Sequence, residues 1–218
     1  MKKISFNQLM YGISVVLLVF IFYSLIDKFF LKESKRPIDL DQVVTTHEND
    51  IVFGDQNSPK SVYVYFSYKC GYCKRFFREV FPQLKTNYID KGKLKLVLKL
   101  VEASEDVDML YALQVAVGVN KFGQVEKFHE LLLHDSRVVY TDEFKDLCDD
   151  FVRANSDIAE CVLGGNANEY LKSNYQEYVD LNLTGTPSFI FNQQLYKGYM
   201  EYSEFEEILK KIELYKTR

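Results

Sequence analysis

From Gly12 to Ile26 the chain is almost continuously apolar, and no residue between Lys3 and Asp27 is charged. At 1.5 Å per residue, an uncharged helix of this length reaches the ~30 Å thickness of a bilayer's hydrocarbon layer. The run has no polar face, which argues against a buried core helix. Lys2 and Lys3 precede it, so residues 1–31 read as a membrane anchor or a signal segment. A cleaved signal needs small residues before the cut, and the first alanine is Ala103, so an uncleaved anchor is the favoured expectation. Lys28, Lys32, Lys35 and Arg36 follow the span, offset by Asp27 and Glu33, and charge alone leaves the orientation balanced.

Residues 32–50 are polar and read as a linker, with Val43, Val44 and then Ile51-Val-Phe53 offering a short first strand. Ser61-Val-Tyr-Val-Tyr-Phe66 is a β-branched and aromatic run short enough for a buried central strand. Beyond Gly71, residues Phe76, Phe77, Val80, Phe81 and Leu84 recur at helical spacing, with Pro82 expected to kink that helix. Lys93 to Val101 alternates polar and apolar at its start, as a strand would. From about 104 to 182 the pattern is helical, through Met109, Leu113 and Val117, then Phe128 and Leu132, then Phe144, Cys148 and Phe151, with Thr141 and Asp157 as helix starts. Ser188–Phe191 and Leu195-Tyr196 predict a hairpin across Asn192-Gln-Gln194, and an amphipathic helix closes residues 203–215. The result is an α/β layout: residues 51–218 as one domain carrying a large helical insertion.

At 47% hydrophobic and 27% charged, the composition is that of a globular chain. The net charge of −4 provides no general basic field for nucleic acid. Four cysteines are too few for a disulfide-built miniprotein of 218 residues, and their placement is more informative: 70 and 73 together, 148 and 161 as a distant second set.

Cys70-Gly71-Tyr72-Cys73 lies where a strand gives way to a helix. A cysteine at a helix amino terminus faces unpaired N–H groups and the positive end of the helix dipole, both of which favour thiolate. Lys69, Lys74, Arg75 and Arg78 add positive charge around it. The two-residue spacer lets the second sulfur close an intramolecular disulfide one turn later, with Cys70 exchanging and Cys73 resolving. The competing reading is half a zinc site, but there is no second CxxC, and His47, His129 and His134 are scattered, so no metal is assigned. Thr186-Pro187 stands just before the late strand; punctuation would explain a proline there, but its place after a CxxC and before the last hairpin points to a cis peptide.

Tyr63 to Cys73, then Phe76 to Pro82, then Gly185-Thr-Pro-Ser-Phe189 and the closing helix resemble the DsbA-like thiol–disulfide oxidoreductases of the thioredoxin superfamily, including the alphaproteobacterial type. The resemblance implies a thioredoxin fold with a helical insertion domain, here behind an N-terminal transmembrane helix. It makes Cys70 the nucleophile and Cys73 its partner, with Gly71-Tyr72 the active-site dipeptide. Pro187 would hold substrate backbone, with Thr186 facing the redox pair. It implies no cofactor, and as partners cysteine-containing exported proteins and a DsbB-like membrane reoxidase, with the catalytic domain in the periplasm at a bacterial inner membrane. Two departures stand out. The buried acid usual six residues before the first cysteine is Val64 here, and Gly-Tyr with Thr before the proline is more like DsbC-type isomerases than the Pro-His of strong oxidants. The resemblance therefore leaves two directions, a dithiol oxidase or an isomerase or reductase held reduced. Cys148 and Cys161 read as a structural bridge, since an isolated pair in an oxidising compartment more often bonds and some DsbA-like proteins carry an extra disulfide there; the alternative is two buried free thiols.

Overall fold

The structure, a computed structural model, describes residues 44–215 except 45, 103, 104, 124 and 192. The expected membrane segment and most of the 32–50 linker lie outside them. No helix among the described residues is long and apolar enough to cross a membrane. The end of that linker belongs to the fold instead: Asn49 and Asp50 are buried, and Val44 packs against an apolar cluster without joining a strand.

Five strands form one sheet in the order β1-β3-β2-β4-β5, with β1 Ile51–Phe53, β2 Ser61–Phe66, β3 Lys95–Leu100, β4 Ser188–Phe191 and β5 Gln194–Lys197. β2 and β3 run parallel, placing Val64 beside Leu98 and Tyr65 beside Lys99. The other pairs are antiparallel, and the hairpin pairs Phe191 with Gln194. Parallel strands need a crossover, supplied by α1 Gly71–Glu79, the short α2 Phe81–Leu84 and a π turn over Lys85–Ile89. The helix breaks at Val80, and Pro82 falls in the first turn of the next one, where its missing N–H costs nothing. Gly54 turns the chain after β1 with φ +106°, and a side chain there would press on the Leu94 carbonyl at 3.0 Å.

The insertion holds α3 Val107–Asn120, α4 Val125–His134, a 3₁₀ turn Ser136–Tyr140, α5 Asp142–Ala154, α6 Ser156–Leu163 and α7 Asn166–Asp180; α8 Tyr202–Tyr215 closes the chain. α3 is apolar nearly all round and packs against the four other insertion helices. Thr141 caps α5 as expected, its hydroxyl accepting from Phe144 N–H at 3.3 Å. α6 is capped by Asn155 rather than Asp157. The Asn155 side chain accepts from the N–H groups of Asp157 and Ile158, and Asp157 falls in the first turn.

Because side chains alternate along a strand, the sheet has two chemically different faces. On one, Val62, Val64, Phe66, Leu98 and Phe189 join Cys73 and Phe76 of α1 and Phe205 of α8, and this cluster runs on into the insertion through Met109, Phe128 and Leu132. On the other, under α7, Tyr65, Val101 and Ile190 pack with Leu181 and Leu183. Lys99 lies on this second face and is only 1% exposed. Its Nζ is 3.0 Å from Asp50 Oδ1 and 4.0 Å from Glu177 Oε1. Tyr170 Oη donates to Asp50 at 2.9 Å, Tyr65 Oη donates to Glu177, and Asn174 donates to the Leu100 carbonyl at 3.3 Å. The network ties α7 and the segment before β1 to the two central strands.

Candidate active site

β2 ends at Phe66, and a tight turn carries the chain into α1: Cys70 N–H donates to the Ser67 carbonyl at 3.1 Å and Lys69 N–H to Ser67 Oγ at 3.2 Å. Cys70 is the N-cap of α1, in an extended conformation with φ −83° and ψ 119°. That places its sulfur at the open end of the helix, half-buried, while Cys73 one turn on is 0% exposed. The Thr186-Pro187 peptide is cis, as its position in the sequence led us to expect, and brings the Thr186 carbonyl to Cys70, whose Sγ–H donates to it at 3.0 Å. Cys70, Gly71, Tyr72, Cys73, Thr186 and Pro187 thus form one site, with Tyr72 61% exposed at its rim.

The two sulfurs are electrostatically unequal. Burial pushes the Cys70 thiol up, but hydrogen bonding from the Thr186 side chain, from the N–H and thiol of Cys73 and from the Tyr72 N–H outweighs it, and the net direction is down. Burial pushes Cys73 up to about 12, against hydrogen bonding from Ser67 N–H and Thr186. Val64, where the family acid would stand, is fully buried in the same apolar cluster as Cys73.

The basic residues do not act as their clustering suggests. Lys69 is held by Asp106 at 2.8 Å and Glu102 at 3.4 Å, and Lys74 donates to Ser136 Oγ at 3.0 Å. Arg75 pairs with Glu79 at 2.7 Å and Glu201 at 2.9 Å and lies 4.3 Å over the Tyr199 ring, and Arg78 pairs with Glu79 at 2.9 Å. Each cation has an oxygen to answer, so the thiolate is favoured mainly by oriented hydrogen-bond donors. Periodicity alone did not reveal Tyr178 or Asp106. Burial, then the charges of Tyr175, Cys70 and Cys73, hold the Tyr178 phenol above its ordinary value. Asp106, an acidic residue just ahead of an apolar helical run, carried the usual signature of a helix cap.

Cys148 in α5 and Cys161 in α6 are free thiols in this structure, as Cys70 and Cys73 are. Each is buried in the main apolar cluster as a small apolar side chain, and burial pushes the Cys148 thiol up to about 12. Neither lies at a strand-to-helix turn.

Residues 46–211 match the family model described as Thioredoxin. The chain belongs to the thioredoxin family. Its fold is that of the DsbA proteins: it aligns with Wolbachia pipientis alpha-DsbA1 at a TM-score of 0.63 and 20% identity, covering 78% of this chain and 94% of that one. It aligns with oxidised BdbD from Bacillus subtilis at 0.61 and 21%, covering 76% and 94%. In sequence it is similar to a Rickettsia felis chain carrying the name protein-disulfide oxidoreductase, 27% identical over 152 residues, covering 66% of this chain and 54% of that one. It is also similar to disulfide bond formation protein D of Bacillus subtilis, 26% identical over 167 residues, covering 73% and 75%. The match thus spans little more than half the length of the rickettsial relative.

Proposed function

We propose that this member of the thioredoxin family introduces disulfides into exported proteins through Cys70 and Cys73, from a membrane-anchored position with its catalytic domain in the periplasm. The observation that carries the reading is the inequality of the two sulfurs: Cys70 reachable and low in pKa, Cys73 buried and pushed up to about 12. In the disulfide form, a client thiolate attacks Cys70 Sγ. The client–Cys70 bond forms, the Cys70–Cys73 bond breaks, and the electron pair leaves on Cys73, which takes up a proton. A second client thiolate then attacks the client sulfur of the mixed disulfide and expels Cys70 as a thiolate. The client loses two electrons and the redox pair gains them. A thiol with a pKa near 12 is almost wholly protonated at neutral pH, so Cys73 is slow to attack the mixed disulfide and reverse the first step. Cys70, stabilised as an anion, is the better leaving group of the second step. A membrane oxidant of the DsbB kind would restore the disulfide.

Gly71-Tyr72 and Thr186 support a second reading, an isomerase or reductase held in the dithiol form. One experiment separates the readings. Cells are quenched in acid and alkylated at once to trap the redox state, and membranes from a parallel sample are washed with carbonate. The expected result is protein retained in the membrane with Cys70 and Cys73 oxidised, and Cys73→Ala accumulating client adducts through Cys70. A reduced pair shifts the reading to isomerase or reductase, recovery in the soluble fraction removes the anchor, and absence of adducts removes Cys70 as the exchanging sulfur.

A further inference from the structure

The helical insertion reaches back to the active-site turn through one carboxylate. Asp106 is the N-cap of α3, its Oδ1 accepting from Met109 N–H at 3.0 Å. Its other oxygen accepts from Lys69 Nζ at 2.8 Å and from Tyr140 Oη at 2.5 Å. One side chain therefore joins the start of α3, the 3₁₀ turn that ends at Tyr140, and the residue immediately before the exchanging cysteine. Lys69 is itself the third residue of the tight turn that Cys70 N–H closes on Ser67, so its ammonium is tethered immediately before the exchanging cysteine.

We propose that Asp106 is a positioning residue for the redox reaction: it holds Lys69 against the insertion and cancels the lysine's charge beside Cys70, making the disulfide a milder oxidant than the bare lysine would. A cation next to a cysteine favours the thiolate, and what stabilises the thiolate stabilises the dithiol form and strengthens the disulfide as an oxidant. Lys69 is the cation nearest Cys70 in the chain, and two acidic groups, Asp106 and Glu102, answer it. Lys69 and then Tyr140 hold the Asp106 carboxyl well below the usual carboxylate range, so it is ionised wherever Cys70 titrates. Other charged or titratable groups near the turn are Tyr68 with its partner His129, Lys74 on Ser136, Asp135 paired with Arg137, and Cys73 one helical turn on.

The test uses Asp106→Asn, because asparagine caps a helix as well as aspartate and leaves α3 its N-cap. Lys69→Met and the double variant complete a cycle. Two quantities are read in the full chain. One is the Cys70 pKa, from thiolate absorbance. The other is the equilibrium in which one protein disulfide and two glutathione thiols become one protein dithiol and one glutathione disulfide. Lys69 is 34% exposed, so solvent weakens its field and each change is expected to be about threefold. Asp106→Asn should lower the Cys70 pKa and move the equilibrium toward dithiol. Lys69→Met should do the reverse, and the double variant should return close to the parent. Urea unfolding of each variant reports the structural contribution, which has no reason to reverse sign between the two single changes. Single variants moving in the same direction, or a double variant that does not return toward the parent, would overturn the inference. It rests on Cys70 being the exchanging thiolate: a parental Cys70 that titrates no lower than free cysteine refutes that reading and this inference with it. A low parental pKa without the sign reversal refutes this inference alone.

Discussion

On the face of the sheet that carries α1, His129 and Cys73 are buried as neutral groups; on the face under α7, Lys99, Asp50 and Glu177 are buried as a linked ionic set. Both faces exclude water, and both contain groups that are charged in water at some ordinary pH. The first face surrounds His129 with Phe53, Phe66 and Phe77 and offers it one hydroxyl, Tyr68 Oη, 2.6 Å from Nδ1. Its Nε2 has no partner among the described residues. Burial pulls the imidazole down to about 3, as it pushes Cys73 up to about 12. The second face keeps its charges by pairing them and by directing two tyrosine hydroxyls at the carboxylates. Desolvation is met by neutralisation on one side and by compensation on the other. The CxxC pair sits on the neutral side, where no ionic lattice has to rearrange when Cys73 gains or loses its proton.

The largest expected effect breaks the compensated side. Lys99→Met removes the cation and leaves Asp50 and Glu177 buried without it, which should lower stability by about 3–5 kcal/mol in urea unfolding at neutral pH. A loss of less than about 1 kcal/mol would show that the ionic set is not what holds α7 to the sheet.

The next effect belongs to the neutral side and depends on pH. His129 has a folded pKa near 3, against about 6.5 for the unfolded chain. Between those values the unfolded chain binds a proton that the folded protein refuses. Stability is therefore complete above the unfolded pKa and is lost as pH falls through the window, by about 2 kcal/mol at pH 5. His129→Phe should remove that part of the slope between pH 7 and 5; an unchanged slope would mean that the histidine is protonated in place. The smallest effect is Tyr65→Phe, which deletes one hydroxyl from the ionic set and should cost about 1 kcal/mol at neutral pH. A loss as large as the one from Lys99→Met would mean that this single hydroxyl carries as much of the compensation as the cation does.

The order of strands and helices was legible because each element has its own hydrophobic period, and Cys70, Cys73, Thr186 and Pro187 were legible because they sit at the joints between elements. The two faces were not. Lys99 looks like one more polar position in an alternating strand, and only the fold brings it to Asp50, ahead of β1, and to Glu177, in α7. Four basic residues around the CxxC read as a field on the sulfur until their oxygen partners, from Glu79 to Glu201, are in place. The Asn155 cap was missed because Asp157, two residues on, carries an equally good capping side chain. The 148–161 bridge rests on compartment and on the family resemblance, and neither specifies how two side chains on separate helices are aimed.

α1 begins without a capping side chain, because Cys70 as a thiol directs its proton to Thr186. Once ionised, the same sulfur becomes the acceptor that the first-turn N–H groups lack; once bonded to Cys73, it has no charge to offer them. Adding two electrons therefore closes a helix end that oxidation leaves open. The two redox states of the pair differ at this helix end: a Cys70 thiolate supplies it an acceptor, and a Cys70–Cys73 disulfide does not.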